Sequence, residues 1–136
     1  MAQLNFHKNL PSNAPPRLFP LLQKTKEAYS LWYEYYQILR KPHRHSLGQR
    51  IDNLLIEIIE LIATAGFLPQ EKKLPYIQLA IRKNDTLKIL LMILWENKSL
   101  DNKKYMALSI KLDEMGKMLG GWLGQLQKQN SPDKTS

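Results

Sequence analysis

Apolar residues recur along this chain at alternating steps of three and four, the spacing of helices that each bury one stripe. Leu18, Leu22, Thr25, Tyr29, Trp32, Tyr36 and Leu39 line one face of a first helix, expected from about Leu18 to Arg40, and Leu31, Tyr35 and Ile38 widen it. Pro42 should end that helix, because the residue before a proline is pushed out of the α region. A second helix is expected over about Leu47–Ala65, with Leu47, Ile51, Leu54, Ile58, Leu61 and Ala65 as its seam. Ser46 and Gln49 have the spacing of a capping box at its start. Gly66-Phe-Leu-Pro69 breaks the chain. A third helix starts at Pro69 or, more firmly, near Pro75, and runs to about Asn97, with Ile77, Ile81, Asn84, Leu87, Leu91 and Leu94 toward the core. Ser99 or Asp101 caps a fourth, to about Gln127, whose seam is Tyr105, Leu108, Leu112, Met115, Leu119, Trp122 and Leu126.

Four long helices with short loops predict an all-α, up-down four-helix bundle over 18–128. An irregular arm over 1–17, rich in Pro and Asn, precedes it, and a polar tail over 129–136 follows. No strand signal competes.

Two stretches carry more than one bundle needs. Gly116, Gly120, Gly121 and Gly124 lie inside the fourth helix, where each costs about 0.8–1 kcal/mol against Ala. At roughly 100° per residue, Gly116, Gly120 and Gly124 turn from about 80° to about 160° away from the seam. A line without side chains lets another backbone approach. Ile89–Trp95 is apolar all round, and such a turn should be covered on two sides. Gly116, Gly120, Gly124, Met92 and Trp95 are therefore the expected contacts with a second copy. The alternative for the glycines is that they only loosen or end the helix.

Charge then narrows the partners. The net charge is +8, from 20 Lys and Arg against 12 Asp and Glu. A basic domain favours anionic partners, nucleic acid foremost. The second helix is acidic past its first turn, so the excess lies elsewhere. The connection Arg40-Lys-Pro-His-Arg-His-Ser46 sits beside a helix start, a place that attracts phosphate. Its alternative role is a solvated, charged loop. The binding candidates are Arg40, Lys41, His43 and Arg44 there, Arg50 in the next turn, Arg82, Lys83 and Lys88 on the third helix, and Lys104, Lys111 and Lys117 on the fourth. Lys103 rides beside them. The aromatic residues of the first helix are expected in the core, with Tyr33 the exposed exception.

Other chemistry is not expected. There is no cysteine, which fits a cytoplasmic setting. His43 and His45 have no third ligand nearby, so no metal is predicted. No nucleophile motif and no phosphate loop after a strand is present, so the chain reads as a binding protein without a cofactor. No apolar run approaches the roughly 20 residues of a membrane span. The seams and aromatic face argue against a membrane-surface protein, because they belong in the core.

Several segments resemble one family. Arg44-His-Ser-Leu-Gly-Gln-Arg-Ile51, Leu87-Lys-Ile-Leu-Leu91, and Tyr105 followed by Asp113-Glu-Met-Gly-Lys-Met-Leu-Gly-Gly-Trp122 look like the Avd accessory proteins of diversity-generating retroelements. These are relatives of the four-helix-bundle proteins encoded in intervening sequences of bacterial 23S rRNA genes. The resemblance spans roughly Leu21–Leu123. It implies a basic bundle assembled as a homopentameric barrel. It also implies binding of the element's reverse transcriptase and of RNA or DNA in support of mutagenic retrohoming, with no catalytic role. By matched position Arg44 and Arg50 correspond to the family's basic residues, and Lys88 and Lys117 stand where Arg is usual. Met92 departs from a common second Arg. Lysine keeps the charge but loses bidentate phosphate geometry. The other reading of the same resemblance is an intervening-sequence protein without a reverse transcriptase partner.

Overall fold

The computed structural model describes residues 17–131, so the expected N-terminal arm, apart from Arg17, and residues 132–136 of the tail lie outside it. The described chain is helical, with no strand: α1 (Leu18–Tyr36), α2 (Lys41–Arg44), α3 (Leu47–Phe67), α4 (Leu74–Glu96) and α5 (Asn102–Gln129), with one 3-10 turn at Gln70–Lys72. The four long helices form a closed ring in which α1, α3, α4 and α5 each pack on two neighbours. Cross-contacts fix the antiparallel register. Trp32 Nε1 donates to Asp52 Oδ1 at 3.2 Å, and Lys83 Nζ sits 3.0 Å from Glu57 Oε1. Lys88 Nζ is 3.0 Å from Asp113 Oδ1, and Lys24 Nζ is 2.9 Å from Glu114 Oε2.

The core follows the seams. Leu108, Leu112, Met115, Leu119, Trp122 and Leu126 are buried on α5, as are Trp32 on α1 and Ile51, Leu54, Ile58 and Ile62 on α3. Full burial of such side chains contributes about 1.5–3 kcal/mol each, which is why the periodicity dictates the fold. Some seam positions shift outward: Tyr29, Tyr36, Leu47, Leu61, Ile81 and Tyr105 are only half-buried. Ala80 is buried beside Ile81 and Ile62 beside Leu61, and Trp95 stacks on Tyr105. Tyr33 is exposed, whereas Tyr29, Tyr35 and Tyr36 pack against the core. Burial and neighbouring Asp52 push the Tyr29 hydroxyl up to about 12. Asn84 is a fully buried amide whose Nδ2 donates to Leu112 O at 3.0 Å. That bond ties α4 to the α5 backbone.

Two local expectations are corrected. The first helix ends at Tyr36 rather than Arg40. Helix ends leave carbonyls without partners, and here Arg44 Nη2 donates to Gln37 O at 3.1 Å and Leu39 O at 3.0 Å. Tyr36 Oη in turn donates to Arg44 O at 3.1 Å, and Leu39 is buried beneath the turn. Pro42 therefore does not stop the first helix. It sits in the first turn of α2, where its missing N–H is harmless. The capping box is also absent: Ser46 Oγ donates to Pro42 O at 2.7 Å and makes no bond to the α3 N-terminus. Its hydroxyl serves the end of α2 instead. Gly48 permits this close turn, because a Cβ there would lie 2.9 Å from His43 O and from Leu39 Cδ1.

At the other loops the reading holds. Pro75 opens α4 and Asp101 caps α5, its Oδ1 accepting from Lys104 N at 2.8 Å. That backbone hydrogen bond, helped by the Lys104 ammonium, holds the Asp101 carboxyl below the usual carboxylate range. Lys73 is a buried cation at the α3–α4 corner. Its Nζ donates to Ala65 O at 2.5 Å, and burial lowers its pKa.

Candidate functional site

The basic connection and the α4–α5 loop meet at one end of the bundle. His43 Nδ1 and Ser99 Oγ hydrogen-bond across the two loops. This tie brings residues from two distant stretches of sequence to a common surface. Arg40, Lys41 and His45 are exposed on one loop, and Lys98 and Lys103 on the other. None of these five makes an ion pair among the described residues. The one carboxylate drawn into this group is Asp101, engaged by Lys104 at 3.1 Å. The Lys104 ammonium also lies 6.0 Å from the centre of the Tyr35 ring. Chemically the end offers exposed ammonium and guanidinium groups on two loops tied to each other, a surface suited to phosphates.

Sequence alone does not single out Lys98. It is a lone lysine in a polar loop, and its place beside the connection depends on the His43–Ser99 contact. Its φ of 64° is the one left-handed non-glycine conformation among the described residues, and it lets the chain turn sharply from α4 into α5. Lys103 and Lys104 a few residues on are the only signal the sequence offers.

The other candidates do not form one track. Arg44 is half-buried, and its Nη2 is engaged by two carbonyls of the turn that follows α1. Arg50 and Lys83 both approach Glu57, at 3.9 and 3.0 Å, on the α3–α4 side. Lys88 pairs with Asp113 on the α4–α5 side, and Lys111 lies 3.8 Å from Glu27 on the α1–α5 side. Such half-exposed pairs contribute little to stability, about 0–1 kcal/mol, but they lessen the charge available to a partner. Arg82 and Lys117 are exposed without an ion pair among the described residues, on the outer faces of α4 and α5.

The expected contacts for a second copy also separate. Gly120 and Gly124 are exposed, and a Cβ on either would meet nothing within 4 Å. Gly116 differs from them: it faces α4 of its own chain, where a Cβ would lie 3.4 Å from Asn84 Nδ2 and 3.6 Å from Lys88 Nζ. Met92 and Trp95 are exposed on α4, as are Ile89 beside them and Met106 and Ile110 on α5. The apolar excess of Ile89–Trp95 is thus not fully absorbed among the described residues.

Among the described residues no group of three or more His, Asp or Glu side chains is arranged to hold a metal ion. No helix there is long and apolar enough to cross a membrane. The grooves beside α1 are lined by mixed side chains, Gln23, Lys26, Glu27 and Lys111 along one and Phe19, Leu22, Ile59 and Ala63 along the other.

A family model described as bAvd-like matches residues 19–126, which takes in all four long helices almost end to end. No curated protein and no solved structure gives a significant match.

Proposed function

The chain belongs to the bAvd-like family, and on that premise we propose that it is a non-catalytic accessory protein of a diversity-generating retroelement. In this role it binds the element's reverse transcriptase together with template RNA or cDNA, and so supports mutagenic retrohoming. The family match carries this reading. The unpaired cations gathered at one end of the bundle support the nucleic-acid part. Sequence-independent, salt-sensitive binding is what such a surface gives, because each phosphate contact releases condensed counterions.

The reading includes self-assembly, with five copies in a barrel as the family resemblance implies. The exposed apolar side chains of α4 and α5 and the open glycine face of α5 supply surface for it. Exposed apolar groups clustered on one side commonly mark protein contacts. A cytoplasmic location goes with these partners.

Co-expression with the reverse transcriptase encoded beside this gene, followed by capture at high salt with nuclease, tests the central claim. A retained complex supports direct binding to the polymerase. Loss of the polymerase under nuclease would overturn it, and recovery of rRNA in a parallel capture without nuclease would assign the chain to the intervening-sequence type.

A further inference from the structure

Trp95 lies at the basic end with its ring stacked on Tyr105, centroids 4.9 Å apart and planes 11° from parallel. Its Nε1 donates to Asn102 Oδ1 at 2.6 Å. Asn102 opens α5 directly after the Asp101 cap, so the indole is anchored to a fixed helix start. One face and the polar edge of the ring are satisfied within the chain. Even so the residue is 37% exposed, while Trp32 and Trp122 are buried. Two exposed lysines without an ion pair among the described residues lie close to it along the chain. Lys98 N donates to Trp95 O at 3.0 Å, which places Lys98 in the same turn, and Lys103 follows Asn102.

We propose that Trp95, backed by Tyr105 and flanked by Lys98 and Lys103, is a stacking shelf for an unpaired nucleobase of a single-stranded nucleic acid. Aromatic faces accept any base, and neighbouring ammonium groups hold the adjoining phosphates. A duplex offers no free base face along its length, so the shelf selects single strands. Ile89 and Met92, farther down α4, remain available to a second copy. The inference rests on the nucleic-acid reading above and narrows it to strand form.

Trp95 is the one exposed tryptophan, so its emission reports on the shelf. The full chain would be titrated with a mixed-sequence single strand of about ten nucleotides, with an abasic strand of equal length and with the matching duplex. Binding is read by anisotropy of a label on the strand, and stacking by tryptophan emission. The single strand is expected to bind and quench the emission; the abasic strand should bind more weakly without quenching. Trp95→Leu should weaken the single strand by about tenfold or more and leave the abasic strand unchanged. The wild-type quench needs no variant and so stands even if Trp95→Leu misfolds. Binding of the single strand with unchanged emission would overturn the shelf while leaving nucleic-acid binding intact. So would a Trp95 that acrylamide cannot reach in the free protein, since a second copy would then cover it. If no strand binds at all, the shelf and the nucleic-acid reading fall together.

Discussion

Arg44 and Lys41 stand three positions apart in one basic stretch, yet they differ in what they touch. Arg44 donates to two carbonyls at the end of α1, while Lys41 is exposed and unpaired. Arg44→Gln should therefore lower stability by about 1.5–3 kcal/mol, the scale of charge-assisted hydrogen bonds. Lys41→Gln should stay within about 0.5 kcal/mol, as surface changes do. Urea unfolding of both variants checks this; equal midpoints would refute it. Sequence showed the charges but not their division, because the orphan carbonyls that recruit Arg44 exist only once α1 has ended at Tyr36. Asp101 gives a pH prediction. Its carboxyl titrates lower in the folded chain than in the unfolded one. The stability it contributes is thus complete above the unfolded value of 3.8 and disappears as pH falls through the folded value. Thermal melts of wild type and Asp101→Asn should differ at neutral pH and converge only once pH has fallen below the folded value, itself under 3.8.

At the scale of one helix, α5 sets two demands against each other. Its seam was readable to the residue, since burial of Leu108 through Leu126 follows the heptad spacing. Its glycines were readable only in part. Helical angles placed all three of Gly116, Gly120 and Gly124 away from the seam, but the position of α4 decides which of them face solvent, and Gly116 does not. A methyl on Gly120 or Gly124 meets no atom within 4 Å, so each substitution to Ala should stabilise the isolated bundle by up to about 1 kcal/mol. The same Gly120→Ala, Gly124→Ala pair should weaken self-association if that face packs on another copy. Thermal melts and sedimentation read the two effects separately. A higher melting temperature with an unchanged assembly mass would mean that the glycines only loosen the helix. Gly48→Ala should do the reverse and destabilise, because backbone at His43 blocks the added carbon.

At the scale of the molecule, the bundle was legible because four seams of one periodicity leave few other ways to bury themselves. The basic end was legible by half. The run Arg40–His45 announces itself, but Lys98 and Lys103 join it only through an up-down ring that stacks two loops at one end, tied by His43 and Ser99. Exchanging Arg40, Lys41, Lys98 and Lys103 for Glu should weaken nucleic-acid binding and flatten its salt dependence, by about 0.7 in the log–log slope for each single-strand phosphate no longer neutralised. Titrations at several salt concentrations would reveal an unchanged slope if the cations do not act there. The ring has a practical corollary. Arg17 bonds Gln125, and Asn130 reaches Gln70, so the described chain begins and ends at the pole opposite the basic loops. A fluorophore attached beside Arg17 or Asn130 should therefore leave the charged pole clear for partners. A cross-linker installed at Lys98 would survey that pole alone.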